Sequence, residues 1–288
     1  MAELSSCLVC KSDNVNSLTS YSKAFLSKCK SCGFVFSSKI PTEQELINFY
    51  NEYGRDDYLS PITIKRYNEL LDTFERFRKT NKLLDVGSGI GYFLEQAKQR
   101  GWDVYGTEFT DKAIEICSNK GITMHKGAFN PENYTHSFDV ITSFEVIEHI
   151  NNPSEEIENY AKVLRKDGLF YCTTPNFNSI SRRLLKSKWT SICYPEHLSY
   201  YTVKTLSLLL KNHRISPFIK LTTGVSLSIL QSSLGIKNQK SVGEDSDDEN
   251  LRRQMEDKRI FKAIKCLLNN CLSLFRFGDT IKMFARKI

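Results

Sequence analysis

Apolar positions recur at steps of three and four from Ile64 to Arg78, where Ile64, Tyr67, Leu70, Leu71, Phe74 and Phe77 would share one face of a helix. Beyond it, short apolar runs alternate with helical periodicity. Lys82–Val86, Asp103–Glu108, Ile122–His125, Phe138–Phe144 and Leu169–Thr173 read as strands, and Tyr92–Gln99, Lys112–Asn119 and Glu155–Leu164 as helices. Such alternation implies a mainly parallel sheet covered on both faces. Thr202–Leu210 reads as a further helix and Ile215–Leu221 as a late strand broken by Pro217, while Ile281, Met283 and Phe284 supply a last strand.

The two ends of the chain break this rhythm. Residues 1–40 lack long periodic segments and are rich in Ser, Lys and Cys, so they need a metal in place of an ordinary core. Thr42 followed three residues later by Glu45 reads as a capping box, opening a helix with Leu46, Ile47, Phe49 and Tyr50. The acidic run 243–250 reads as a solvated loop and 251–275 as a basic amphipathic helix. The expected organisation is a metal-held domain over 1–40, a helical connector or lid over 41–80, and an α/β domain over 81–288. No internal repeat is visible.

Composition adds compartment and charge. The net charge of +7 is moderate for 288 residues, but ten Lys/Arg against three acidic residues fall beyond Leu251, and the rest of the chain is balanced. No apolar stretch approaches the roughly 20 residues needed to span a bilayer, and a signal-peptide core is missing at the N-terminus, so a cytoplasmic location is expected. The basic stretch 251–275 leaves open peripheral contact with an anionic inner-membrane face. Few stacking aromatics accompany the basic residues and an acidic run precedes them, so no nucleic acid is expected as partner.

Nine cysteines fit a reducing compartment. Cys7 and Cys10 form one Cys-x2-Cys knuckle and Cys29 and Cys32 a second, with 18 residues between the two, a spacing that suits a four-thiolate zinc ribbon with a structural role. Cys117, Cys172, Cys193, Cys266 and Cys271 read as core or half-buried fillers.

The densest chemical signal is Leu83-Leu84-Asp85-Val86-Gly87-Ser88-Gly89-Ile90-Gly91, an apolar strand running into three alternate glycines. A dinucleotide loop follows G-x-G-x-x-G, whereas here Tyr92 holds the last position, and no Gly-Lys-Ser/Thr ending is present for a triphosphate. The loop therefore suits a nucleoside without phosphates. Glu108 ends the second strand of the alternating segment, where its carboxylate can accept from both ribose hydroxyls, and Asp85 can fix the loop or meet an ammonium group.

These residues resemble the class I S-adenosylmethionine-dependent methyltransferases of the type 11/23 kind. The likeness rests on the Asp85–Gly91 loop, on Glu108, on Phe138-Asp139-Val140-Ile141, on Phe144-Glu145-Val146-Ile147-Glu148-His149 and on Arg165-Lys166-Asp167-Gly168-Leu169. It covers about residues 80 to 288 and implies a Rossmann-like, doubly wound α/β fold, mainly parallel with an antiparallel last strand. It also implies S-adenosylmethionine held by Asp85, Gly87, Ser88, Gly89, Gly91, Glu108, Phe109, Ala128, Phe129, Phe144 and Glu145. Gly127-Ala128-Phe129 stands where many relatives carry an acid for the adenine amine, so adenine is expected on backbone groups and Phe129.

Ribbons like this one precede the methyltransferase domain in bacterial enzymes acting on nucleotide-linked sugars, and Tyr194-Pro195-Glu196-His197 resembles their Tyr-x-Glu-His element. That resemblance implies His197 as base with Tyr194 and Glu196 orienting the acceptor, and His149 after Phe144 is a second candidate because imidazole titrates near neutrality. The acceptor expected first is a sugar nucleotide or lipid-linked glycan of surface polysaccharide assembly. O-methylation of a phenolic or quinone-type lipid, which Glu145–His149 resembles equally, is the alternative, and a zinc-ribbon nucleic-acid methyltransferase ranks last. His125, His136 and His213 read as surface residues.

Overall fold

The structure, a computed structural model, describes residues 4–42, 45, 59–225 and 259–288. Its N-terminal strands are β1 (Val15–Ser17), β2 (Leu26–Cys29) and β3 (Val35–Ser37). Then follow α1 (Pro61–Phe74), β4 (Lys82–Val86), α2 (Tyr92–Gln99), β5 (Asp103–Glu108), α3 (Asp111–Asn119), β6 (Thr123–Lys126), β7 (Phe138–Phe144), α4 (Pro153–Val163) and β8 (Leu164–Pro175). The remainder comprises α5 (Ile180–Leu185), β9 (Ser199–Tyr200), α6 (Val203–Asn212), β10 (Ile215–Thr223), α7 (Arg259–Phe275) and β11 (Thr280–Lys287).

Seven strands form one sheet in the order β10-β11-β8-β7-β4-β5-β6. Only β11 runs against its neighbours, pairing antiparallel with both β8 and β10, as the methyltransferase resemblance implies for the last strand. Alternate residues face opposite sides of the sheet. Leu84, Ile141, Phe170 and Met283 pack with Ile157 and Tyr160 of α4 and Leu206, Leu209 and Leu210 of α6. Leu83, Val140, Leu169 and Tyr171 pack with Leu71 and Phe74 of α1 and Phe93, Leu94 and Ala97 of α2. Between β4 and β7 the strand order reverses, and ligands of open α/β sheets bind at such a switch point, beyond the carboxyl ends of the strands.

Strand boundaries shift where a side chain has another partner. Strand β8 starts at Leu164, five residues before the expected Leu169, and its register against β7 slips between Phe138 and Val140. The extra residues carry the Arg165 guanidinium onto the fully buried Asp139, Nε to Oδ1 at 2.5 Å, while Asp139 Oδ2 accepts from the backbone N–H of Lys79, Thr80 and Asn81 at 2.6–2.8 Å. Strand β10 continues past Leu221 to Thr223. Pro217 sits at a bulge on this sheet edge, where a missing N–H is tolerated. Ser60 caps α1, its hydroxyl accepting from Ile62 N at 3.2 Å, so this helix opens three residues before Ile64.

The N-terminal segment does build part of an ordinary core. Val9, Phe34 and Phe36 join the packing around α6, Phe34 and Phe36 stack at 5.7 Å, and Phe34 lies 5.2 Å from the Tyr201 ring. Strands β1, β2 and β3 share a four-stranded sheet with β9, Val35 pairing with Tyr200 and Phe36 with Ser199. Sequence reading missed this because the two-residue β9 carries no periodicity of its own.

Some smaller expectations are corrected. Cys266 and Cys271 are exposed on α7, which packs on β10 through Leu272 and Ser273 while Leu267, Leu274 and Phe275 point outward. His125, His136 and His213 are half-buried: His136 sits against Tyr105 and Phe138, His125 against Tyr134, and His213 bonds Ser154 Oγ at 2.8 Å. The Thr42–Glu45 capping box is present, Thr42 N donating to Glu45 Oε2 at 2.8 Å and Glu45 N to Thr42 Oγ1 at 3.2 Å. The rest of the helix expected there, the acidic run 243–250 and the start of the basic helix lie outside the described residues. Among the described residues no helix is long and apolar enough to cross a membrane.

Candidate active site

The glycine loop leaves β4 at the switch point and turns into α2. Gly87 and Gly91 have φ of +69° and +78°, a region that side chains disfavour. A Cβ on Gly87 would stand 2.6 Å from Val146 Cγ2, and one on Gly91 2.7 Å from Cys117 Sγ, so bare backbone is required at both. Three carboxylates stand at the carboxyl ends of β4, β5 and β7. Asp85 is buried, accepts from Thr142 Oγ1 at 2.7 Å, and its pKa is pushed up to about 7, mainly by burial and secondarily by the negative charge of Glu108. Glu108 accepts from Gly89 N at 2.9 Å and from Phe109 N at 2.8 Å, which aims its carboxylate across the loop and leaves acceptor capacity on both oxygens. Glu145 follows β7 with φ +52°, its N–H donating to Thr173 O at 3.1 Å.

Aromatic groups divide differently from expectation. Phe129 is 6% exposed, stacked on Tyr134 at 5.6 Å and edge-on to Tyr160, so it is a core residue; Ala128 beside it is exposed. Phe109, 67% exposed and next to Glu108, is the open aromatic at this edge. Phe144 packs against Phe93 at 4.9 Å, below the loop.

Past β7, the turn Ile147–His149 meets the segment 191–201. Here the structure brings His149 and His197 together, ring centroids 4.8 Å apart. Each is oriented through Nδ1: His149 onto the Glu196 carbonyl at 2.9 Å and His197 onto the Ser191 carbonyl at 2.8 Å. A carbonyl only accepts, so Nδ1 carries the proton in both. Burial, reinforced by the charge of His149, pushes the His197 pKa down to about 4 and keeps it neutral. Glu148 is 2% exposed; Thr174 Oγ1 donates to its Oε2 at 2.9 Å, and its Oε1 stands 4.0 Å from His149 Nε2. Burial and the neighbouring Glu145 hold Glu148 well above the usual carboxylate range.

Tyr194 and Glu196 do not bond to His197. Glu196 accepts from Cys193 Sγ at 3.2 Å, and the Tyr194 hydroxyl donates to Glu45 at 3.4 Å, its ring lying 5.1 Å from Phe25 and 4.9 Å from Lys39 Nζ. The pairing of His149 with His197 and the reach of Lys39 and Glu45 to Tyr194 were hidden in sequence, because the partners lie 48 and about 150 residues apart.

The four knuckle cysteines converge. Cys7 and Cys32 sulfurs are 3.5 Å apart, as are those of Cys10 and Cys29, and all four lie within 4.8 Å of one another. Tetrahedral zinc with bonds of about 2.3 Å needs sulfurs roughly 3.8 Å apart, so the set fits a four-thiolate zinc site.

A family model described as a methyltransferase domain matches residues 58–213, more than half of the chain. The chain belongs to the methyltransferase domain family. Among curated relatives, it is 31% identical over 152 residues to the ubiquinone biosynthesis O-methyltransferase of Haemophilus ducreyi, covering 48% of this chain and 59% of that one. It is 29% identical over 183 residues to the enzyme of the same name from Pelagibacter ubique, covering 57% and 72%. The match therefore spans less than two thirds of the first of these relatives. A sarcosine dimethylglycine methyltransferase structure from Galdieria sulphuraria superposes with a TM-score of 0.53 at 16% identity, covering 85% of this chain and 98% of that one, which supports the Rossmann-like fold.

Proposed function

We propose that the protein transfers a methyl group from S-adenosylmethionine to a hydroxyl of a phenolic or quinone-type acceptor. The observation that carries this reading is the placement, on one edge of one sheet, of a nucleoside-holding loop and a pair of oriented imidazoles. The name of the curated relatives favours this acceptor over the sugar nucleotide expected from the Tyr194–His197 element.

Gly87, Ser88, Gly89 and Gly91 would let the donor lie against bare backbone, Glu108 would accept from its ribose hydroxyls, and Asp85 would face its ammonium group. Phe109 takes the adenine-packing role first expected of Phe129. The donor supplies a sulfonium methyl, whose leaving group departs as a neutral thioether and needs no acid. The acceptor hydroxyl, by contrast, must lose its proton, and His197 and His149 are assigned to that ionisation. Four-thiolate zinc is assigned to Cys7, Cys10, Cys29 and Cys32 as a structural ion. A lipid-borne acceptor suits the outward Leu267, Leu274 and Phe275 of α7, and flotation with anionic liposomes tests contact there.

His197→Ala tests the assignment. Turnover should fall by at least about 100-fold while calorimetry shows donor affinity nearly unchanged. Normal turnover in that variant would remove His197 from the mechanism.

A further inference from the structure

We propose that Lys282 of β11, together with Arg66 of α1 and Lys265 of α7, forms an anion-recognising subsite that takes a carboxylate or phosphate borne by the acceptor. The inference rests on the reading of the site as an O-methyltransferase for the identity of the ligand, and on the arrangement of charges for the subsite itself.

Register decides where Lys282 stands. On β11 it pairs with Thr173 of β8, and it shares a sheet face with Phe284 and Tyr171, the face that α1 and α2 cover. Glu145 N donates to the Thr173 carbonyl at 3.1 Å and to its hydroxyl at 3.2 Å. The next residue, Thr174, holds Glu148 beside the two imidazoles, Oγ1 to Oε2 at 2.9 Å. Two consecutive residues of β8 therefore link Lys282 on one side to the turn of His149 on the other.

Charge gathers at Lys282 from three further elements. Arg66 and Glu69 act on its ammonium from α1, Lys265 from α7 and Glu145 from the end of β7. Three cations against two carboxylates leave a positive excess. Lys282 is half-buried, and burial, reinforced by the charges of Arg66 and Lys265, holds its ammonium below the usual lysine range. Among the described residues neither a hydrogen bond nor an ion pair fixes that ammonium. Removing an ammonium from water without a partner is costly, and an oxyanion arriving with the ligand supplies the partner through charge-assisted hydrogen bonds.

The surroundings suit a ring that carries such a group. Tyr67 and Phe144 are half-buried with ring centroids 6.0 Å apart, and Phe144 lies 5.5 Å from Tyr171. Phe144 ends β7, which stands between Asp85 on β4 and Lys282 on β11 in strand order. Glu145 beside it stays open to solvent although the surrounding protein desolvates its carboxyl, as happens on the wall of a concavity. Asp85 and Glu108, the carboxylates assigned to the donor, end β4 and β5, whereas β11 lies three strands from β4 in the other direction, roughly 14 Å away. An anion at Lys282 is therefore on the acceptor side of the donor. Holding it would fix the ring, so that the hydroxyl meets the donor methyl in one pose. No bond forms or breaks at the subsite, and its effect is on acceptor choice.

The test gives the full chain S-adenosylmethionine and three sets of phenols with adjacent hydroxyls: unsubstituted, bearing a ring carboxylate, and bearing a phosphate. The wild type should use one anionic set with kcat/KM at least about tenfold above the neutral set, and that set names the group. In Lys282→Met, which removes the charge at similar length, the ratio should fall to near one, chiefly through a higher KM for the anionic acceptor. Lys282→Arg should keep most of the preference. Calorimetric donor affinity in both variants reports that they are folded, and calorimetry also follows acceptor binding without turnover. A wild type that does not prefer an anionic phenol overturns the subsite even if neutral phenols are methylated, and the proposed function then stands alone. A Lys282→Met variant that keeps the preference, or loses neutral and anionic turnover alike, overturns it too. If an anionic phenol binds the wild type and not Lys282→Met while no phenol is methylated, the subsite stands and the proposed function falls.

Discussion

Asp85 carries the most directly testable charge in the molecule. Burial is the main reason its pKa reaches about 7, so the ligand-free protein holds this carboxyl protonated at mildly acidic pH. A cationic ammonium beside it favours the ionised form, and binding below pH 7 must then release a proton. Donor affinity should fall as pH drops from 8 to 6, by up to about tenfold per unit below the folded pKa, and calorimetry in buffers of different ionisation enthalpy should show the proton. The stability consequence has the opposite sign. A carboxyl raised in the folded state penalises folding increasingly as pH climbs from about 4 to about 7, so Asp85→Asn should gain stability relative to wild type more at pH 8 than at pH 5. Asp85 and Glu108 were legible in sequence because strand ends and a glycine spacing locate them. Phe109 and Phe129 were not separated, since two phenylalanines at strand exits read alike until packing buries one against Tyr134 and leaves the other open.

At the scale of elements, two junctions govern how the site is held. Asp139 ties the start of β7 to the turn at Lys79–Asn81 and to Arg165 in β8, fully buried and accepting from three backbone N–H groups and one guanidinium. Asp139→Asn would break a buried ion pair and should cost about 3 kcal/mol in denaturant unfolding. The second junction runs from the ribbon to the imidazoles. Ser37 N donates to Leu198 O at 2.8 Å, and Leu198 N to Glu148 O at 2.8 Å, so the last residue of β3 is two hydrogen bonds from the His149 turn. Loss of the zinc proposed for the four cysteines, through Cys29→Ser, should therefore reduce methyl transfer by roughly tenfold or more by misplacing His197, while donor affinity changes little. Equal loss of both would show that the ribbon supports the whole fold. Long periodic elements such as β4, α2, β5 and β7 were legible at their true boundaries. Those set by tertiary partners, the early start of β8 for Arg165 and the addition of β9 to the ribbon sheet, were not.

For the whole molecule, alternating strands and helices sufficed to read a doubly wound sheet, and its reversal between β4 and β7 put the glycine loop where such sheets bind ligands. The proposed acceptor end was less legible, because it is assembled from residues 148–149 and 191–201 with the N-terminal sheet behind them, contacts that no local pattern encodes. The glycine loop and the two imidazoles meet at one sheet edge, and the central proposal is that a methyl group passes between a donor on the loop and an acceptor at the imidazoles. The most direct measurement is incubation of the full chain with deuterated-methyl S-adenosylmethionine and two acceptor sets, phenols bearing adjacent hydroxyls and nucleotide sugars, with mass spectrometry of the products. The account predicts a labelled methyl ether on the phenol, lost in His197→Ala. Label on the sugars alone would contradict the proposed acceptor, and label on neither set would contradict the assignment of this site to methyl transfer onto a small hydroxyl acceptor.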